Sequence, residues 1–168
     1  MAHSDHNFTF AVLTSSDAGA KGEREDTSGD AIVEIMNAGG FRQVHRDIVP
    51  DEVDLLKERL IAWSDGGETD VIITTGGTGL GPRDVTPQAT RAVIDFEVPG
   101  IAEAMRAETM QVTPMAMLSR SVVGVRSGCL IINLPGSPKG VRETLEIAMK
   151  AVPHGLEMLR GWRGHPEH

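Results

Sequence analysis

The chain has 168 residues, with 24 acidic and 16 basic side chains and a net charge of −8. That length suits one domain, 1–168, built round one sizeable core. An acidic balance without a basic stripe argues against nucleic acid as the main partner, and a polyphosphate ligand would need positive charge from Arg83, Lys139, Lys21 or Arg24, from backbone N–H groups, or from a divalent cation.

The first residues are polar and include His3 and His6, which read as a loose terminus rather than a metal site. No signal peptide or membrane-spanning run is present, so a cytoplasmic protein is expected. Residues 8–14 (Phe-Thr-Phe-Ala-Val-Leu-Thr) read as a first strand, followed by Ser15, Ser16, Asp17 and a polar loop over 18–26. Thr27 and Asp30, spaced as a capping box, open a helix that carries Ile32, Ile35 and Met36 and stops at Gly39-Gly40. Residues 43–49 form a less apolar strand, expected near a sheet edge, and His45 reads there as an ordinary strand residue. Pro50-Asp51 precedes a helix with Val53, Leu56, Leu60 and Trp63 on one face. On local grounds Asp51 is its N-cap.

Residues 64–68 make a polar turn. The apolar run 71–73 that follows suits a strand buried on both faces, as in a parallel sheet. Four glycines lie between Gly76 and Gly81, then Arg83-Asp84, then Thr86-Pro87 as a helix N-cap and first turn. Strand, glycine loop, charged pair and helix start describe an anion site at the C-terminal edge of an α/β sheet. The loop is neither a Walker A loop, since Pro82-Arg83 follows Gly81, nor a dinucleotide fingerprint, since the third glycine would fall at Pro82.

A helix from 87 to about 96 is broken at Pro99-Gly100, and another carries Ile101, Ala104 and Met105. The methionine-rich stretch 113–118 suits core or subunit packing. Residues 121–125 and 129–134 are spaced as a β-hairpin, an antiparallel element on an otherwise parallel sheet. Cys129, the sole cysteine, lies among apolar residues and reads as a small buried hydrophobe. Pro135, Gly136, Ser137 and Pro138 then turn into a helix with Val141, Leu145, Ala148 and Val152 on one face, Ser137 its cap. A short helix within 154–160 and a loose tail, 161–168, end the chain.

Three loops thus gather at one sheet edge: 15–26, 76–84 and 135–139, with Asp51 nearby. Carboxylates, hydroxyls and glycine backbone with few cations point to Mg²⁺-nucleotide chemistry, and the residues alone go no further.

The sequence Thr74-Thr75-Gly76-Gly77-Thr78-Gly79, then Arg83-Asp84-Val85-Thr86-Pro87, resembles the MoaB/Mog family of molybdenum cofactor biosynthesis, which includes the N-terminal domain of gephyrin. Asn133-Leu134-Pro135-Gly136-Ser137-Pro138, Ile48-Val49-Pro50-Asp51 and Leu118-Ser119-Arg120 match as well. The resemblance implies a three-layer α/β/α fold with a mostly parallel sheet. It implies a molybdopterin adenylyltransferase, moving AMP from ATP to the terminal phosphate of molybdopterin with release of pyrophosphate. Asp51 and Asp84 would hold Mg²⁺, and Arg83 would either offset developing charge or form a structural ion pair. Thr75 and Gly76, Gly77, Thr78 and Gly79 would serve a phosphate. Ser16, Asp17 and Ser119 would line the pterin or phosphate pocket, and Pro135, Gly136, Ser137 and Pro138 its other wall. A homo-oligomer is implied, a trimer before a hexamer, together with contact with other proteins of cofactor biosynthesis. Relatives without transfer activity leave a molybdopterin-binding scaffold as an alternative, and the competence-damage relatives leave a nucleotide hydrolase. Ala18-Gly19 stands where many relatives carry an arginine, so Lys21 or Arg24 must supply any cation there.

Overall fold

The computed structural model describes residues 7–161. His3, His6 and the tail from 162 onward lie outside them. A six-stranded sheet runs in the order β2-β1-β3-β6-β5-β4. Strands β1 (Thr9–Ser15), β2 (Arg42–Val49), β3 (Val71–Thr75) and β6 (Cys129–Leu134) are parallel, while β5 (Val123–Arg126) and β4 (Phe96–Glu97) are antiparallel to their neighbours.

Alternation along the strands makes two apolar layers. Phe10, Val12, Val71, Ile73, Leu130 and Ile132 face one side. There they meet α2 (Thr27–Ala38), α5 (Pro99–Thr109), α6 (Pro138–Ala148) and α7 (Val152–Leu159). Ala11, Leu13, Ile72 and Ile131 face the other, against Leu56 and Leu60 of α3 (Val53–Asp65) and Ala89 and Val93 of α4 (Thr86–Val93). The expected three-layer α/β/α arrangement is what forms. The edge position of β2 and the hairpin also match expectation. The two-residue hairpin turn needs positive φ at Ser127 (49°) and Gly128 (77°), which fits a right-twisted strand pair.

The chain leaves β1 for β2 on one side, then crosses to β3 on the other. Strand order therefore reverses between β1 and β3, the place where open α/β sheets bind ligands beyond the strand C-termini.

Several local expectations are corrected. Within the supposed loop 18–26 lies a one-turn helix, α1 (Asp17–Ala20), capped by Ser16, whose Oγ accepts from the Gly19 N–H at 2.9 Å. The cap of α2 is Asp26, one residue before the proposed box; its carboxylate accepts from Gly29 N–H at 3.1 Å. Asp51 does not cap α3, because Glu52 holds that position without a side-chain bond. Thr86 is inside α4, and its hydroxyl donates to the Gly76 carbonyl (2.9 Å), closing the glycine loop. Helix α4 stops at Val93, and the next residues pair with β5 as a short edge strand. Met115 and Met117 are exposed on a 3₁₀ turn, Pro114–Leu118, so the methionine stretch is not core. The single apolar face expected from Val141 to Val152 is divided between α6 and α7.

Candidate active site

Two cavities open beyond the C-terminal ends of the strands. A polar one, of about 470 Å³, lies at the reversal point. The end of β1 supplies Thr14 and Ser15, and the end of β3 supplies Thr75, Gly76 and Gly77. Asp51 and Asp84 also line it, as do Thr27 and Ser28 at the start of α2 and Ser137 and Pro138 at the start of α6. The N-termini of an eleven- and a twelve-residue helix thus meet a glycine loop, and all three favour negative charge. The side chains do not: Glu25, Asp26, Asp51 and Asp84 line the cavity with Arg24 as the one basic lining residue among the described residues. Lys21 is not on this wall.

The loops are tied together by short bonds. Ser15 Oγ donates to Asp51 Oδ1 at 2.6 Å. Asp17 N–H donates to Asp51 Oδ2 and Asp51 N–H donates back to Asp17 Oδ1, both at 3.0 Å. Arg83 closes this knot with two bonds to Asp17, at 3.0 and 2.9 Å. The Arg83 guanidinium, helped by the Asp51 N–H, holds the Asp17 carboxyl below its ordinary range. Thr75 Oγ1 donates to Pro135 O and Ser28 Oγ to Gly136 O, both at 2.6 Å, lashing the second glycine turn to β3 and α2. Thr14 Oγ1 and Arg46 both donate to Asp26 Oδ2.

Gly76 has φ 91° and Gly77 φ 69°, conformations that L side chains rarely take. The Gly76 N–H is already spent on Leu134 O (3.3 Å), so phosphate donors must come from the residues after it. Asp84 folds back over its own loop, Oδ2 accepting from Gly81 N–H at 2.9 Å.

A second cavity, of about 500 Å³, is mostly apolar. Thr78, Gly79, Met105, Val112, Leu118 and Ser119 are on its wall, with Pro135 and Ser137. The sequence-named residues therefore divide. Thr75, Gly76, Gly77, Ser16, Asp51, Asp84, Gly136 and Pro138 line the polar cavity; Thr78, Gly79, Ser119 and Pro135 line the apolar one; Ser137 lines both. Asp17 and Arg83 line neither and form an ion pair beside the pocket.

Among the described residues no three His, Cys, Asp or Glu side chains gather as a metal site. Asp51 and Asp84, both lining the polar cavity, nevertheless fit Mg²⁺, which takes one or two carboxylates and completes its shell with water and substrate phosphate.

The family description "Probable molybdopterin binding domain" matches residues 11–154, most of the chain. The chain belongs to this molybdopterin-binding family. It is 43% identical over 154 residues to a protein named molybdopterin adenylyltransferase from Helicobacter pylori, covering 90% of this chain and 88% of that one. It is 36% identical to gephyrin of Dictyostelium discoideum, across 92% of this chain and 23% of that longer protein. A crystal structure of the molybdopterin biosynthesis enzyme MoaB from Thermus thermophilus superposes with a TM-score of 0.87 at 51% identity, covering 92% and 97% of the two chains.

Within this family fold, the sequence reading missed Thr27 and Ser28 and, although it grouped loop 15–26 at this edge, did not single out Ser15 or Asp26 as pocket residues. Asp26 carried a usable signal, an acceptor one residue before Thr-Ser-Gly, but it competed with the apparent box at Thr27. Ser28 carried none, because its contact with Gly136 spans 108 residues.

Proposed function

We propose that this protein is a molybdopterin adenylyltransferase acting in molybdenum cofactor biosynthesis. Relatives named for that activity match over most of the chain. The observation that carries the reading is that Asp51 and Asp84 both line the cavity into which the glycine loop and the N-termini of α2 and α6 open. In the reaction, an oxygen of the terminal molybdopterin phosphate attacks the α-phosphorus of ATP. The new P–O bond forms as the α–β anhydride breaks, and pyrophosphate leaves with the bond electrons. Such in-line displacement requires alignment and charge neutralisation more than a protein nucleophile.

Asp51 and Asp84 are the residues to hold Mg²⁺, which when bound neutralises phosphate charge. The backbone after Gly76, with the N-termini of α2 and α6, orients the phosphates. Arg24, which lines the cavity where Lys21 does not, supplies the side-chain cation from the first loop. Arg83 acts through Asp17 rather than on the phosphates. Ser16, Thr75, Gly77, Gly136 and Pro138 serve the phosphate side. Thr78, Gly79, Ser119 and Pro135 serve a flat heterocycle in the apolar cavity, and Ser137 serves both. A nucleotide substrate accords with a cytoplasmic enzyme acting as a single domain.

The same reading includes self-association, as a trimer before a hexamer. Met110, Val112, Met115, Met117 and Leu118 are large apolar side chains exposed together along 110–118, more than a monomer's surface needs to show. Light scattering on the purified protein gives the mass directly.

The deciding experiment incubates the protein with molybdopterin, ATP and Mg²⁺ and assays adenylylated molybdopterin and pyrophosphate. Both products are expected. Pterin binding without adenylylation would favour a scaffold, and ATP hydrolysis without molybdopterin would favour a hydrolase.

A further inference from the structure

Arg120 follows Ser119, on the wall of the apolar cavity, and is itself half-buried. Its backbone N–H donates to Thr78 O at 2.9 Å. Its guanidinium then spreads over the far side of the glycine loop. Nε donates to Gly79 O (2.8 Å), Nη2 to Asp84 O (2.7 Å) and Nη1 to Gln88 Oε1 (3.3 Å) in the first turn of α4. One residue thus holds both ends of the segment 78–84. Every one of these acceptors is a carbonyl or amide oxygen, none a carboxylate.

That chemistry suits a brace. Exposed loops bonded mainly to water change shape readily. Here the carbonyls of Gly79 and Asp84 are fixed by a planar fork whose donors are held in fixed relative directions. Fixing the carbonyl of Asp84 fixes where its Cα sits, and so where its carboxylate enters the polar cavity. Because Ser119 and Leu118 line the apolar cavity and Asp84 lines the polar one, Arg120 is also a short connection between the two.

We propose that Arg120 is a positioning residue that sets the glycine loop, and through it Asp84, for transfer. The proposal rests on the reading of the polar cavity as the transfer site. The motif Leu118-Ser119-Arg120 singles out the residue but not this role, since the side-chain partners of Arg120 lie 32 to 41 residues away.

The test compares wild type with R120K and R120M, by amide hydrogen exchange and by steady-state kinetics. In both variants exchange across residues 77–85 rises about tenfold or more while the β1 and β6 amides keep their protection. Transfer kcat falls by about tenfold to a hundredfold while KM for ATP moves less than about threefold, the mark of misplacement rather than lost binding. R120K does not rescue, because lysine is a point charge without the fork. Unchanged exchange and kcat in R120M would overturn the proposal, and so would full rescue by R120K, which would leave only a charge effect. Should R120M fail to fold, R120K decides alone. If wild type transfers no AMP, the function proposed above fails, while the exchange measurement still reports whether Arg120 braces the loop.

Discussion

Gly76 is fixed by its surroundings twice over. Its φ of 91° is strained for any L residue, and a Cβ there would meet the carbonyl oxygen of Ser15. Gly76→Ala should cost at least about 1–3 kcal/mol of stability, read as a lower urea midpoint at unchanged slope. Asp84→Asn is a different kind of change. Asn Oδ1 can still accept the Gly81 N–H, so the fold should hold, while transfer falls on the order of 10²-fold or more through lost charge. Normal circular dichroism with near-wild-type transfer would sink the assignment of Asp84. Burial pushes the Cys129 thiol up to about 12, so it carries no thiolate at neutral pH. Thiol reagents should label it only once the protein is unfolded, and rapid labelling of native protein would contradict its buried position.

Asp17 has the opposite shift. Its folded pKa lies below the ordinary value of 3.8, so its contribution is fully present above that value and is lost as the pH falls through the folded pKa. The Arg83–Asp17 tie should therefore be insensitive to pH between about 6 and 8 and open only under acid conditions below the ordinary carboxylate range. A chemical-shift titration of the Asp17 carboxyl would show this, and a midpoint above its ordinary value would contradict it.

At the scale of elements, the caps separate what local sequence can tell from what it cannot. Asp26→Ala removes a cap bond and the partner of both Thr14 and Arg46, and should destabilise by about 1–3 kcal/mol in thermal or urea unfolding. Asp51→Asn removes no cap and should leave α3 as stable as before. Apart from the short α1 and β4, the strands, the helices and the two glycine turns are legible because their periodicity and turn residues are local signals. Asp51 misleads locally for a physical reason. A carboxylate after a strand and before a helix satisfies the cap rule, but Ser15 and Asp17 outcompete the helix for it across 34 to 36 residues. Thr86 misleads likewise, since the Gly76 carbonyl ten residues back takes its hydroxyl. Of the two readings open for Arg83, the structural ion pair is the one that forms, but its partner, Asp17, lies 66 residues away and has no local signal.

For the molecule as a whole, the parallel sheet decides where the crevice lies. Chain reversal between β1 and β3 leaves a crevice beyond the strand ends, and the three loops that sequence reading grouped do converge there. Their division into a polar and an apolar cavity is not legible in the sequence, because it depends on how residues 99–119 pack beside them. The exposed apolar run 110–118 makes a prediction at this scale. Met115→Glu with Met117→Glu should lower the mass seen by light scattering if copies assemble through it, and an unchanged mass would place assembly elsewhere.

Ser137 forms part of the wall of both cavities. A single molecule with a polyphosphate at one end and a flat ring system at the other could occupy both rooms by passing over this threshold. Each half would then confine the other, and a linker of matching span should tighten binding by about 10²- to 10⁴-fold over either half alone. Calorimetry with the two halves, separate and joined, would measure that gain. A bulky residue at Ser137 should abolish it while leaving each half able to bind by itself, so this small side chain fixes the span that a tethered inhibitor must bridge.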